Sequence, residues 1–147
     1  MGRHAVSEQK FFELGKKYFA YLEQYGFRLA QEIDRGGGVA ELNWESRDCR
    51  ISVSLDKGQV LLYAGPLAPP DLWYDVGHVV EYVTHGTERW VYTLPAERKD
   101  YDDWLRRQLD RLARMLRPYC ERICPLFSPE VFPETRRELR RLMGLER

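Results

Sequence analysis

The chain lacks most of the features that would place it quickly. Its 23 basic and 23 acidic residues cancel, so no net field argues for a nucleic-acid or membrane-surface partner. No stretch approaches the roughly 20 apolar residues of a membrane span. The opening MGRHAVSEQKFF has no apolar run like the core of a signal peptide, and Gly2 is not followed by the sixth-position serine or threonine of a myristoylation signal. Cysteine is scarce and odd in number: Cys49, Cys120 and Cys124, which argues against a secreted disulfide framework. There is no G-x-S-x-G elbow, no HEXXH, no C-x-x-C pair and no G-x-G-x-x-G loop. These absences lead to the expectation of a soluble cytoplasmic protein without a cofactor, more readily a non-enzyme than an enzyme.

What is present is 147 residues, 44% hydrophobic and 31% charged. That is globular composition, with length for one core, so a single domain over 1–147 is expected. The charges are unevenly placed. Residues 1–65 carry nine of each sign, 66–100 carry three basic and six acidic, and 101–147 carry eleven basic, all arginine, against eight acidic. Any electrostatic preference for a partner therefore belongs to the C-terminal third.

Apolar spacing divides the chain. Phe11, Phe12, Gly15, Tyr18, Phe19, Leu22 and Tyr25 recur at helical spacing behind Ser7, a candidate N-cap, which predicts a helix over 8–25 ended by Gly26. Alternation follows. Phe27, Leu29 and Ile33 predict one side of a first strand, and Ala40, Leu42 and Trp44 a second. Cys49, Ile51, Val53 and Leu55 predict a third, and Val60 to Ala64 a fourth, with Asp56-Lys57-Gly58 as the hairpin turn between the last two. Trp90, Tyr92 and Leu94 read as an extended segment. Asp100 reads as the cap of a helix carrying the stripe Trp104, Leu105, Leu109, Leu112, Leu116, Tyr119 and Ile123, which Pro118 should kink or end. Ser128-Pro129 and Pro133-Glu134 are helix-start signals. The predicted fold class is α+β: an N-terminal helix, a four-stranded antiparallel meander, then three or more C-terminal helices packed on one sheet face.

DLWYDVGHVVEYVTHG, residues 71–86, has the densest set of chemically interesting side chains. Wound as a helix at about 100° per residue, it puts Leu72, Trp73, Val76, Val79, Val80 and Val83 on a core face. Tyr74, His78, Glu81 and His85 fall on the opposite face, a candidate contact face. His78 and His85 would stand on the order of 10 Å apart along the axis, so one zinc ion cannot join them, and zinc needs three or four ligands around one point. A metal-dependent hydrolase using His78, Glu81 and His85 is the enzymatic alternative.

Three further sets of residues need weighing. Cys120 and Cys124, at i and i+4, read as buried structural cysteines, with a redox pair as the alternative. Arg136, Arg137, Arg140 and Arg141 line the last helix. They form either a solvated face interleaved with Glu134 and Glu138 or a face for an anionic partner. Nucleic-acid binding through these arginines is a second functional alternative, disfavoured by the neutral total. Finally, if helices cover the Cys49–Leu55 side of the sheet, the other side carries Arg50, Ser52 and Ser54. Glu41, Asn43, Leu61 and Tyr63 would lie nearby. Arg50, Ser52 and Tyr63 are candidate contact residues on that polar face.

Tyr25-Gly26-Phe27, the Glu45-Ser46 turn, the strand closing on Asp56 to Val60, and Trp73-Tyr74-Asp75 opening a helix stand in one order. That order resembles a pattern in small uncharacterised bacterial proteins, some of which sit beside toxins and are thought to act as immunity proteins. The likeness covers about half of the chain and rests on turns and core aromatics. It implies a bacterial α+β protein that works by protein–protein contact, of immunity type or by self-association, and it implies no catalytic residues.

Overall fold

The computed structural model describes residues 3–90, 92 and 101–144. The alternating stretches form strands: β1 (Arg28–Gly36), β2 (Val39–Glu45), β3 (Cys49–Asp56) and β4 (Gln59–Pro66). Each pairs antiparallel with the next in chain order. The class is the expected α+β meander with helices on one face, but the sheet has five strands rather than four. Asp56 pairs with Gln59 across Lys57-Gly58, both at positive φ (50° and 91°). This is the left-handed two-residue turn whose twist suits a hairpin and which favours glycine.

One sheet face is apolar throughout. Ala40, Leu42, Trp44, Ile51, Val53, Leu55, Val60, Leu62 and Ala64 are buried. Over them lie α1 (Arg3–Tyr18) and α3 (Tyr101–Leu116). Phe11 comes from the first, and Leu105, Leu109, Leu112 and Leu116 come from the second, the period-3.6 stripe meeting the period-2 face. Gln108 is the polar exception on α3. Its amide donates to Gly58 O at 2.9 Å and accepts from Val60 N at 3.0 Å, so a buried polar group is satisfied at both ends and ties α3 to the hairpin. The same helical layer includes α2 (Val76–Val83), α4 (Cys120–Ile123) and α5 (Phe132–Leu142). Among the described residues no helix is long and apolar enough to cross a membrane.

Several elements differ from expectation. The first helix begins at Arg3, so Ser7 lies inside it rather than capping it. It ends at Tyr18, and a 3-10 turn, Ala20–Tyr25, carries the chain to Gly26 at φ 88°. A bulge between Leu29 and Gln31 reverses the alternation of β1. Leu29 faces Trp44, but Ile33 now stands opposite Glu41 on the outer face. Residues 71–75 are not helical. Tyr74 and Asp75 form β5, paired with Ala64 and Tyr63, and α2 starts only at Val76. α3 stops at Leu116, two residues before Pro118, whose ring cannot continue the ladder. Ser128-Pro129 starts no helix; α5 begins at Phe132 with Pro133 in its first turn. Trp90 and Tyr92 belong to no strand. Leu94 and the expected cap Asp100 lie outside the described residues.

Candidate functional site

The outer sheet face carries a polar row crossing all five strands. Gln31 stands opposite Asn43, Asn43 opposite Ser52, Ser52 opposite Tyr63, and Tyr63 opposite Asp75. The next row is Ile33, Glu41, Ser54 and Leu61. The β1 bulge aligns these side chains, since without it Gln31 would face the core. Between the rows lies a hollow of about 160 Å³ lined by Glu41, Ser52, Ser54, Tyr63 and Trp73. Ser52 and Ser54 hydroxyls are 3.0 Å apart. Asn43 is 5% exposed. Its Nδ2 donates to Gln31 Oε1 at 3.1 Å and more weakly to Glu41 Oε1 at 3.5 Å, while its buried Oδ1 has no hydrogen-bond partner among the described residues.

The charged groups that act on the Tyr63 hydroxyl in the hollow are carboxylates. Burial is the main cause raising the pKa of the Tyr63 hydroxyl, and Asp75, Asp56 and Glu41 push it further in the same direction. Arg50 keeps its charge but directs its hydrogen bonds to the loop after β4. The loop after β4 folds back over the face. Arg50 Nε donates to Pro66 O at 2.8 Å, its terminal nitrogen donates to Pro70 O at 2.7 Å, and its guanidinium lies 4.1 Å from the centre of the Trp73 ring. Gly65 lets this loop close, since a Cβ there would collide with the Leu72 carbonyl. Arg35 already pairs with the Glu41 carboxylate, its Nε 2.6 Å from Glu41 Oε2.

The expected contact residues divide. Ser52 and Tyr63 line the hollow. Arg50 is 8% exposed and committed to loop carbonyls, so it clamps the loop rather than offering a free charge. Tyr74, His78, Glu81 and His85 do not share one helical face. Tyr74 lies in β5 with its ring packed 6.1 Å from both Phe127 and Phe132. His78 and Glu81 are on α2, with Glu81 Oε2 3.7 Å from Arg89. His85 follows the helix at φ 53° and is exposed. The cause is Asp75, whose carboxylate accepts from Gly77 N at 2.7 Å and caps α2 there. That shortens the helix at its start and leaves Tyr74 in the sheet. Among the described residues no group of three or more His, Cys, Asp or Glu side chains is arranged to hold a metal ion. Arg136, Arg137, Arg140 and Arg141 are exposed on α5, and Arg141 is bidentate to Glu138 at 3.0 and 2.7 Å.

Spacing puts Trp73 among core residues, yet it forms a wall of the outer hollow. The signal that could have separated it was Pro69-Pro70 just before it, which breaks any helix approaching from that side. Asp75 also holds Tyr92, whose hydroxyl donates to its carboxylate at 2.8 Å, so the row's last member is fixed from behind. The chain matches no protein-family model, no curated protein and no solved structure.

Proposed function

We propose that this chain acts by protein–protein contact. In this reading the outer sheet face receives a cationic side chain of the partner in the hollow lined by Glu41, Ser52, Ser54, Tyr63 and Trp73. The observation that carries it is Asn43 Oδ1, an acceptor buried without a partner among the described residues, on the residue paired with Ser52 of the hollow's lining. Leaving such a group unpaired costs about 1–3 kcal/mol, and a partner's donor that shifts the side chains covering it would recover it. Carboxylates on both sides of Tyr63 favour a guanidinium or ammonium over a neutral donor. Half-buried Ile33 and Leu61 on the adjoining row supply an apolar margin of the kind contact surfaces have. An immunity role, with a toxin as partner, is the biological form that the sequence resemblance implies; self-association is the other.

The test is a titration of the full chain with N-acetyl-arginine amide, with the isosteric citrulline amide as control, followed by amide chemical shifts. Saturable shifts at Ser52, Tyr63 and Trp73 are expected for the arginine compound alone, weakened in Glu41→Gln. Equal responses to both compounds, or none, would sink the assignment. Native mass spectrometry addresses self-association: a strict monomer at every concentration removes that form.

A further inference from the structure

The turn that ends α2 packs beside the C-terminal end of α3. Thr84 Oγ1 donates to Val80 O at 2.7 Å and accepts from Glu88 N at 3.2 Å. His85 and Gly86 take left-handed backbone conformations, φ 53° and 82°, so the chain reverses within residues 84–88. Two long-range bonds tie this turn to the segment after α3. The Tyr119 hydroxyl donates to Glu88 Oε2, and a terminal nitrogen of Arg122 donates to Val83 O at 2.6 Å. An open cleft of about 510 Å³ lies between the turn and the end of α3 and is lined from both. Its size falls within the span of about 300–1,000 Å³ usual for small-molecule sites. It shares no lining residue with the hollow on the outer sheet face.

The lining combines two aromatic rings with two cations. Trp90 and Tyr119 stand edge to face, their ring centres 6.5 Å apart and their planes at 63°. They make a corner in which a flat ring can lie on one face and present its edge to the other. Trp90 is held in place by Tyr92, 6.1 Å away between ring centres, and by Gly77, where a Cβ would come within 3.3 Å of Trp90 Cβ. Met115 adds a polarizable apolar side chain to the lining. Arg114 and Arg89 are the cations, with side chains 80% and 79% exposed. Each gives its Nε to a carboxylate that does not line the cleft, Asp110 at 3.1 Å and Glu81 at 3.7 Å. Exposed pairs of this kind are weak, so both guanidinia can turn to an anion in the cleft. Among the described residues Glu88 is the one carboxylate in the lining, and the Tyr119 hydroxyl holds it.

We propose that this cleft binds a small planar aromatic monoanion, its ring in the corner between Trp90 and Tyr119 and its acid group at Arg114 and Arg89. A guanidinium offers two parallel donors that match the two oxygens of a carboxylate. The corner of two π-systems favours a flat ring over a saturated one of the same size. The charges in the lining set the charge of the ligand. Two guanidinia against the Glu88 carboxylate leave one net positive charge, which a single acid group balances. The site does not rest on the contact proposed for the outer sheet face, and the failure of either leaves the other standing.

The experiment titrates the full chain with 2-naphthoate and follows the Trp90 indole N–H, assigned with Trp90→Phe, and the Met115 methyl by NMR. The controls are the neutral 2-naphthalenemethanol and the saturated acid decahydro-2-naphthoate. Saturable shifts at both reporters are expected with 2-naphthoate, with weaker affinity for each control. Arg114→Gln should weaken 2-naphthoate binding about two- to fivefold. Glu88→Gln keeps an acceptor for Tyr119 but removes the opposing charge, so it should tighten binding by a similar factor. Both side chains lie at the surface, and the rest of the amide spectrum checks that the fold persists. Equal affinity for the neutral compound overturns the choice of an anion. Equal affinity for the saturated acid overturns the role of the aromatic corner. Shifts that do not saturate, or an affinity unmoved by both Arg114→Gln and Glu88→Gln, overturn the site itself.

Discussion

The two faces of the sheet are made by alternate residues of the same strands, yet one is covered by helices and the other keeps an open hollow. On the inner face every strand residue from Ala40 to Ala64 that points at the helices is apolar, and the one polar side chain opposite the hairpin, Gln108, has both ends of its amide bonded. On the outer face Asn43 is almost as buried but keeps an oxygen with no partner among the described residues, and its neighbour Ser52 lines a hollow with Glu41, Ser54, Tyr63 and Trp73. Burial alone therefore does not distinguish core from site in this molecule. An unpaired polar atom does not either, since among the described residues Trp44 Nε1 on the inner face is also buried without a partner; the open hollow on the outer face does.

The contrast can be broken most severely from the inside. Leu62 is fully buried under the helical layer, so Leu62→Ala should cost about 2–5 kcal/mol through lost transfer energy and a residual cavity, measured as a lowered urea midpoint at unchanged slope. Ser52→Ala, on the opposite side of the neighbouring strand, should cost less than about 1 kcal/mol despite its own 3% exposure. A similar loss at both positions would mean that the outer face is core as well.

Arg50 gives the intermediate case. Arg50→Ala removes two hydrogen bonds to loop carbonyls and the stacking on Trp73, on the order of 2 kcal/mol for a charged donor with two acceptors. The loss should be local: amide exchange should accelerate in residues 66–73 before it does in β2 or α3. Uniform acceleration across the sheet would show that the loop is integral to the core rather than a cover laid over the outer face.

How far the sequence reveals this arrangement depends on the range of the interaction. Strand alternation, the Lys57-Gly58 turn and the leucine stripe of α3 are local patterns, and they lie where the spacing puts them. The segment from Asp71 is misleading because Leu72, Trp73 and Val76 fit one helical arc. Only the pairing of Tyr74 with Ala64 and the cap at Asp75 decide against it, and both depend on a strand already in place. The reversal of Ile33 rests on a bulge with no glycine or proline to announce it. The outer polar row is half legible: Arg50, Ser52 and Tyr63 are marked by alternation, but the use of Arg50 by the Pro66 and Pro70 carbonyls is not.

Asn43→Leu tests the contrast with the smallest change in stability. Leucine has the same branching with a somewhat larger volume, removes the unpaired oxygen and gives up the bonds from Nδ2 to Gln31 and Glu41. Replacing an incompletely bonded buried amide with an apolar group of the same shape is close to neutral or stabilising. The urea midpoint should therefore move by less than about 1 kcal/mol equivalent in either direction. Binding should behave differently. With the acceptor gone, the arginine-specific shifts at Ser52, Tyr63 and Trp73 should fall sharply while the fold persists. A variant that is markedly destabilised would place Asn43 among the groups that hold the sheet together, and one that binds arginine amide as well as the wild type would detach the hollow from the oxygen beside it.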